Sequence, residues 1–110
     1  MLQTTDLFDA RCGGYHIYRI PAVLVTPGGA VLVATEARGG EGGDYDDIDL
    51  LIRRSTDGGL SWDEPRCLVP HERYGPGPAN NCTLIADRQT GAVHVTYCYD
   101  YARVFYLRSD

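Results

Sequence analysis

Apolar and polar residues alternate along this chain in short runs broken by glycine and proline. Tyr18–Thr26 and Ala30–Ala37 are rich in Val, Ile, Leu and Thr, and Pro27-Gly28-Gly29 separates them. That pattern predicts a β-hairpin. The following run, Arg38-Gly39-Gly40-Glu41-Gly42-Gly43-Asp44, is too glycine-rich for a helix or a regular strand. A third strand is expected over 47–54, with Ile48, Leu50 and Ile52 on one face. A tight turn over Ser55–Ser61 leads to a fourth strand over 62–69. Residues 70–78 read as a Pro/Gly linker. The scheme then restarts, with strands over 82–86, 93–99 and 103–108 and a turn at Asp87-Arg88-Gln89-Thr90-Gly91.

No segment sustains a 3.6-residue apolar period, so the expected class is all-β, in antiparallel meanders of about four strands. One unit covers about 15–70 and an incomplete second about 79–110, within one partial domain spanning 1–110. Meanders repeated in sequence are the signature of propeller blades. Two blades cannot close a ring, because propellers need at least about four. A fragment of a longer protein is therefore expected.

Composition narrows the function. The chain has 10 basic and 15 acidic side chains, a net charge of -5, and no Lys at all. That balance, without a basic cluster, argues against a nucleic-acid partner. No run approaches a membrane span. The first ten residues lack the basic and apolar regions of a signal peptide, and localisation is left open. Cys12, Cys67, Cys82 and Cys98 form no zinc-type spacing and are expected as reduced, buried small hydrophobes. The acidic run over 44–49 lacks the glycine of a calcium loop, so neither metal nor cofactor is expected. Gly40-Glu41-Gly42 precedes no helix and is not a nucleotide loop. Asn81-Cys82-Thr83 fits a glycosylation sequon, which matters only in a secreted eukaryotic protein. His16, His71 and His94 read as structural or exposed, and the eight Tyr as packing residues on strands.

Two motifs point further. Ser55-Thr56-Asp57-Gly58-Gly59-Leu60-Ser61-Trp62 fits the Asp-box pattern Ser-x-Asp-x-Gly-x-Thr/Ser-Trp at every defined position. Tyr18-Arg19-Ile20-Pro21 is similar to the Phe/Tyr-Arg-Ile-Pro signature of sialidases. Asp47-Ile48-Asp49-Leu50 and Arg53-Arg54 also read as sialidase sequence, and Arg108-Ser109-Asp110 is similar to the opening of a second Asp-box. Over about residues 15–110 the chain resembles the sialidase (neuraminidase) family of Asp-box, or BNR-repeat, propellers. The resemblance implies a six-bladed β-propeller, of which this chain covers roughly the first two blades. It also implies a parent enzyme that is an exo-α-sialidase. Such an enzyme is a retaining glycoside hydrolase releasing terminal sialic acid from sialylated glycans. The alternative is a non-catalytic Asp-box propeller that binds glycans or proteins.

Hairpin geometry locates the candidates. A turn centred on Gly28-Gly29 pairs residues whose numbers sum to about 57, which sets Arg19 opposite Arg38. The loop carrying Asp44 leaves from that end of the unit, and the Asp-box falls at the other. Ser55, Asp57, Gly59 and Trp62 are therefore structural: Ser and Asp side chains bond nearby backbone N–H groups, and Trp packs beneath the turn. By resemblance, Arg19 matches the first of three arginines that grip the sialic acid carboxylate, a task suited to a planar guanidinium. Arg38 matches a further arginine that contacts the sugar. Asp44 matches the acid/base aspartate, with Asp46 and Asp47 as competitors. Without the resemblance, Arg19 reads as a strand-end ion pair with Asp44 or Asp47, and Asp44 as part of a solvated acidic loop. Neighbouring carboxylates raise the pKa of Asp44 and the two arginines lower it, so spacing alone leaves the sign open. The family's Tyr nucleophile, its activating Glu and the other two arginines have no match in this chain.

Overall fold

The structure is a computed structural model and describes residues 2–109. Seven strands form two antiparallel sheets. The first sheet holds β1 (Ile17–Val25), β2 (Val31–Arg38), β3 (Ile48–Ser55) and β4 (Arg66–Val69), in that order. A short 3-10 turn, His71–Arg73, leads to the second sheet, in the order β5 (Ala79–Ala86), β6 (Val93–Tyr99) and β7 (Arg103–Arg108). The expected all-β class and the β6 and β7 boundaries agree with this. Asp110, the last residue of the second motif resemblance, lies outside the described residues.

Strand β4 is shorter than its apolar pattern suggests. Trp62 belongs to the preceding turn, Pro65 has no N–H to donate, and pairing with β3 resumes only at Arg66. Strand β5 starts three residues early, at Ala79. The linker there is tied in by a parallel bridge between Ile48 and Pro78.

The core lies between the sheets. Ala34, Leu50 and Val69 of the first meet Ala79, Cys82, Val95 and Tyr97 of the second. Ile48, Leu50 and Val69 are wholly buried, and burial of such a side chain contributes about 1.5–3 kcal/mol. The cysteine expectation holds only in part. Cys82 is buried, but Cys12 and Cys67 are exposed, because Cys12 lies in the segment before β1 and Cys67 on the edge strand β4. All four are free thiols.

The register of the first hairpin corrects the sequence reading. The turn is centred on Gly28: Thr26 N–H reaches the Ala30 carbonyl at 2.8 Å, and Val25 pairs with Val31. A β-bulge then sets Ile20 and Pro21 together opposite Thr35. Arg19 consequently pairs with Glu36, and Arg38 pairs with Ile17. Ile20 has φ 58°, a left-handed conformation that is strained for a β-branched residue. The Thr35 hydroxyl, donating to the Arg19 carbonyl at 2.8 Å, bridges the bulge. Strand β5 carries a matching bulge, between Asn80 and Thr83, with Asn81 at φ 54°.

Candidate active site

Although Arg19 and Arg38 are not paired, their guanidinium groups converge on one carboxylate. Arg38 Nη1 donates to Asp44 Oδ1 at 2.6 Å, and Arg19 Nη1 lies 3.9 Å from the same oxygen. Asp44 and Arg19 are open to solvent, with side chains 63% and 52% exposed, whereas Arg38 is 2% exposed. The arginines win the contest that sequence left open. The hydrogen bond from Arg38 holds the Asp44 carboxyl below the usual range, and the Arg19 charge adds to it.

The loop between β2 and β3 separates the three aspartates. Gly39 N–H bonds the Asp47 carbonyl at 2.8 Å and closes the loop at its base. Asp46 Oδ2 turns inward and accepts from Gly43 N–H at 2.8 Å and Glu41 N–H at 3.1 Å. Gly40 is required there: it has φ 54°, and a Cβ on it would stand 2.8 Å from Asp46 Cγ. Asp47 Oδ1 accepts from Gly77 N–H at 2.8 Å and so fastens the linker. Asp46 is thus spent on backbone, Asp47 serves Gly77 N–H and lies 3.6 Å from His71 Nε2, and of the three Asp44 alone faces both arginines.

Arg38 is held from behind by a residue that sequence reasoning missed. Glu36, 1% exposed, accepts from Arg38 Nη2 at 2.8 Å and Nε at 3.1 Å. Its other oxygen accepts from Asn81 N–H, on the second sheet, at 2.9 Å. The signal was present: Glu36 is the single charge within the run over 31–37, two positions before an arginine and therefore on the same face of the strand. A buried carboxylate needs several partners, and these three donors supply them.

At the far end of β2, about 23 Å away for eight residues of strand, the Ser55–Trp62 turn is closed by its own side chains. Ser55 Oγ accepts from Gly59 N–H at 2.8 Å, Asp57 Oδ1 accepts from Ser61 N–H at 2.9 Å, and the Ser61 hydroxyl bonds Asp57 Oδ2. Trp62 Nε1 donates to the Gly59 carbonyl at 3.1 Å. The Ser61 hydroxyl, with the backbone donors, brings the Asp57 pKa down to about 2. Ser55 pairs with Val31, beside the hairpin turn, so this turn and Asp44 stand at opposite ends of the sheet.

No family-wide sequence model matches the chain. Among curated proteins, a sialidase of Micromonospora viridifaciens is 31% identical over 93 residues, covering 84% of this chain and 14% of that protein. An exo-alpha-sialidase of Arthroderma benhamiae is 36% identical over 83 residues, covering 70% of this chain and 20% of that protein. This chain belongs to the sialidase family. It spans 20% or less of the length of those two relatives. Among solved structures, a leech intramolecular trans-sialidase superposes with a TM-score of 0.64 at 23% identity. That match covers 88% of this chain and 17% of the leech chain, and it shows the shared fold.

Within this sialidase-family chain, several Tyr and His residues do more than packing. Tyr15, Tyr45, Tyr74 and Tyr101 lie outside the strands. Tyr15 donates to Asp49 Oδ2 at 2.6 Å, and Asp49 Oδ1 accepts from His71 N–H at 2.8 Å and lies 2.7 Å from His71 Nδ1. Burial pushes the Asp49 pKa up, but the Tyr15 and His71 hydrogen bonds outweigh it and the net shift is downward. His71 therefore secures the turn before the second sheet. Tyr101, in the β6–β7 turn, donates to the Asp44 carbonyl at 3.0 Å.

Proposed function

We propose that the protein carrying this chain is an exo-α-sialidase, a retaining glycoside hydrolase that releases terminal sialic acid from sialylated glycans. In this reading residues 15–70 form one blade of a six-bladed propeller and residues 79–110 part of the next. Ser55, Asp57, Gly59 and Trp62 form the Asp-box that closes the first blade. Arg19 grips the substrate carboxylate. Asp44 is the general acid that protonates the leaving oxygen. Arg38 lies beneath Asp44, orients it, and adds positive charge on the sugar side. The observation that carries the reading is the convergence of Arg19 and Arg38 on one exposed carboxylate oxygen of Asp44, at 3.9 and 2.6 Å. Two relatives described as a sialidase and an exo-alpha-sialidase support it.

The electrostatics fit a proton donor that is charged by its substrate. In the free chain Arg38 and Arg19 keep Asp44 ionised. A sugar carboxylate docking on Arg19 brings a negative charge beside Asp44 and occupies one of its two cationic neighbours. Both changes raise the Asp44 pKa toward the protonated form that a general acid needs. The Tyr nucleophile, its activating Glu and two further arginines are expected from other parts of the protein.

The test is an assay of the full-length protein on a fluorogenic α-sialoside. Release of sialic acid as the α-anomer first, before mutarotation, is the expected result. Binding of sialylated glycan without turnover would instead assign the non-catalytic propeller.

A further inference from the structure

A strained turn of the second sheet reaches the Asp44 loop. Strands β6 and β7 are joined by Asp100-Tyr101-Ala102, closed by Ala102 N–H on the Tyr99 carbonyl at 3.0 Å. Asp100 and Tyr101 have φ 54° and 55°. Consecutive left-handed residues in a hairpin turn are ordinarily Asn, Asp or Gly, so Asp100 suits its place, whereas the aromatic Tyr101 is held against its own backbone preference. Retained strain of this kind marks a position fixed by its surroundings.

What Tyr101 touches gives that strain a purpose. Its hydroxyl donates to the Asp44 backbone carbonyl at 3.0 Å. Its ring packs against Tyr45, the next residue of the loop, with centroids 4.9 Å apart at 57°. Asn80, wholly buried, lies beside the Tyr101 hydroxyl. The Asp44 side chain is held by Arg38 from the first sheet; its main chain is held by Tyr101 from the second.

We propose that Tyr101 is a positioning residue, which fixes the main chain of Asp44 from the second sheet so that the carboxyl group is aimed at the leaving oxygen. This inference rests on the reading of Asp44 as the general acid. Its two contacts are separable by mutation. Tyr101→Phe removes the hydroxyl and keeps the ring on Tyr45, and Tyr101→Ala removes both.

The experiment uses the full-length protein and two readouts. In Tyr101→Phe, amide hydrogen exchange over residues 41–47 should rise at least about threefold, while exchange over residues 55–62 stays unchanged. Turnover of a sialoside with a sugar leaving group should fall about tenfold, and of a nitrophenyl sialoside by less than about twofold. Unchanged exchange over 41–47 in both Tyr101 variants would overturn the proposal. So would raised exchange with both substrates slowed equally, since that is general loosening. Asp44→Asn is measured in parallel. If it slows both substrates equally, the acid reading of Asp44 fails by itself, while the exchange data still decide whether Tyr101 holds the loop.

Discussion

Arg38 donates to Asp44 at 2.6 Å from a wholly buried position, so one of the two charges is fixed while the other remains open to solvent. The fixed charge is anchored by Glu36, whose second oxygen reaches Asn81 on the neighbouring sheet. Glu36 thereby ties Arg38, and through it Asp44, to both sheets. A carboxylate held this way has a defined direction before any ligand arrives, which is what preorganised proton transfer requires.

Arg19 is the exposed member of the pair, and its loss should act on binding. In the full-length protein, Arg19→Ala should weaken the affinity for sialic acid and for its planar, unsaturated analogue. Losing hydrogen bonds to a charged group costs roughly 2 kcal/mol, about thirtyfold in Kd. Calorimetric titration checks this. An unchanged Kd for both ligands would leave Arg19 as a strand-end ion pair with Asp44.

Asp57 should govern acid stability without touching catalysis. Its carboxyl titrates at about 2 in the folded chain against 3.8 ordinarily. Because the folded value is the lower one, its stabilising contribution is complete above about pH 4 and is lost as pH falls toward 2. Asp57→Ala should melt at a lower temperature at neutral pH and show a flatter dependence of Tm on pH between about 4 and 2. Trp62→Ala should also lower Tm; Trp62 is half-buried, so the loss falls below the roughly 3–5 kcal/mol of a core Trp. In both variants kcat of the folded fraction should be retained. An unchanged Tm with abolished kcat would place the chemistry at the wrong end of the sheet.

The strands were legible because each apolar run is short, alternating and bounded by Gly or Pro, as with Val93–Tyr99 and Arg103–Arg108. The gathering of Arg19, Arg38 and Asp44 at one end followed from strand direction alone. Register was not legible. The bulge at Ile20-Pro21 depends on an isoleucine adopting φ 58°, which no local propensity favours, and together with a turn centred on Gly28 it moved Arg19 from Arg38 to Glu36. The contribution of Tyr101 was hidden for another reason. It lies 57 residues from Asp44, and only the packing of the two sheets brings them together.

The isolated 110-residue chain should be inactive and prone to associate. No residue in it matches the family's nucleophile, and β4 and β7 are open edges of their sheets. Strand β7 also exposes Val104 and Tyr106, at 72% and 56%. Light scattering of the purified chain should show growth in size with concentration. A monodisperse monomer that releases sialic acid from a fluorogenic sialoside would contradict this.

The most direct test is a comparison of two substrates on Asp44→Asn in the full-length protein. The substitution keeps the shape of the side chain and removes its acidic proton. If Asp44 protonates the leaving oxygen, the glycosylation step should slow by about 10²–10⁴-fold for a sialoside with a sugar leaving group. A nitrophenyl sialoside, whose leaving group departs as a stable anion, should lose far less. Equal slowing of that step for both substrates would contradict the assignment and return the choice to Asp46 or Asp47.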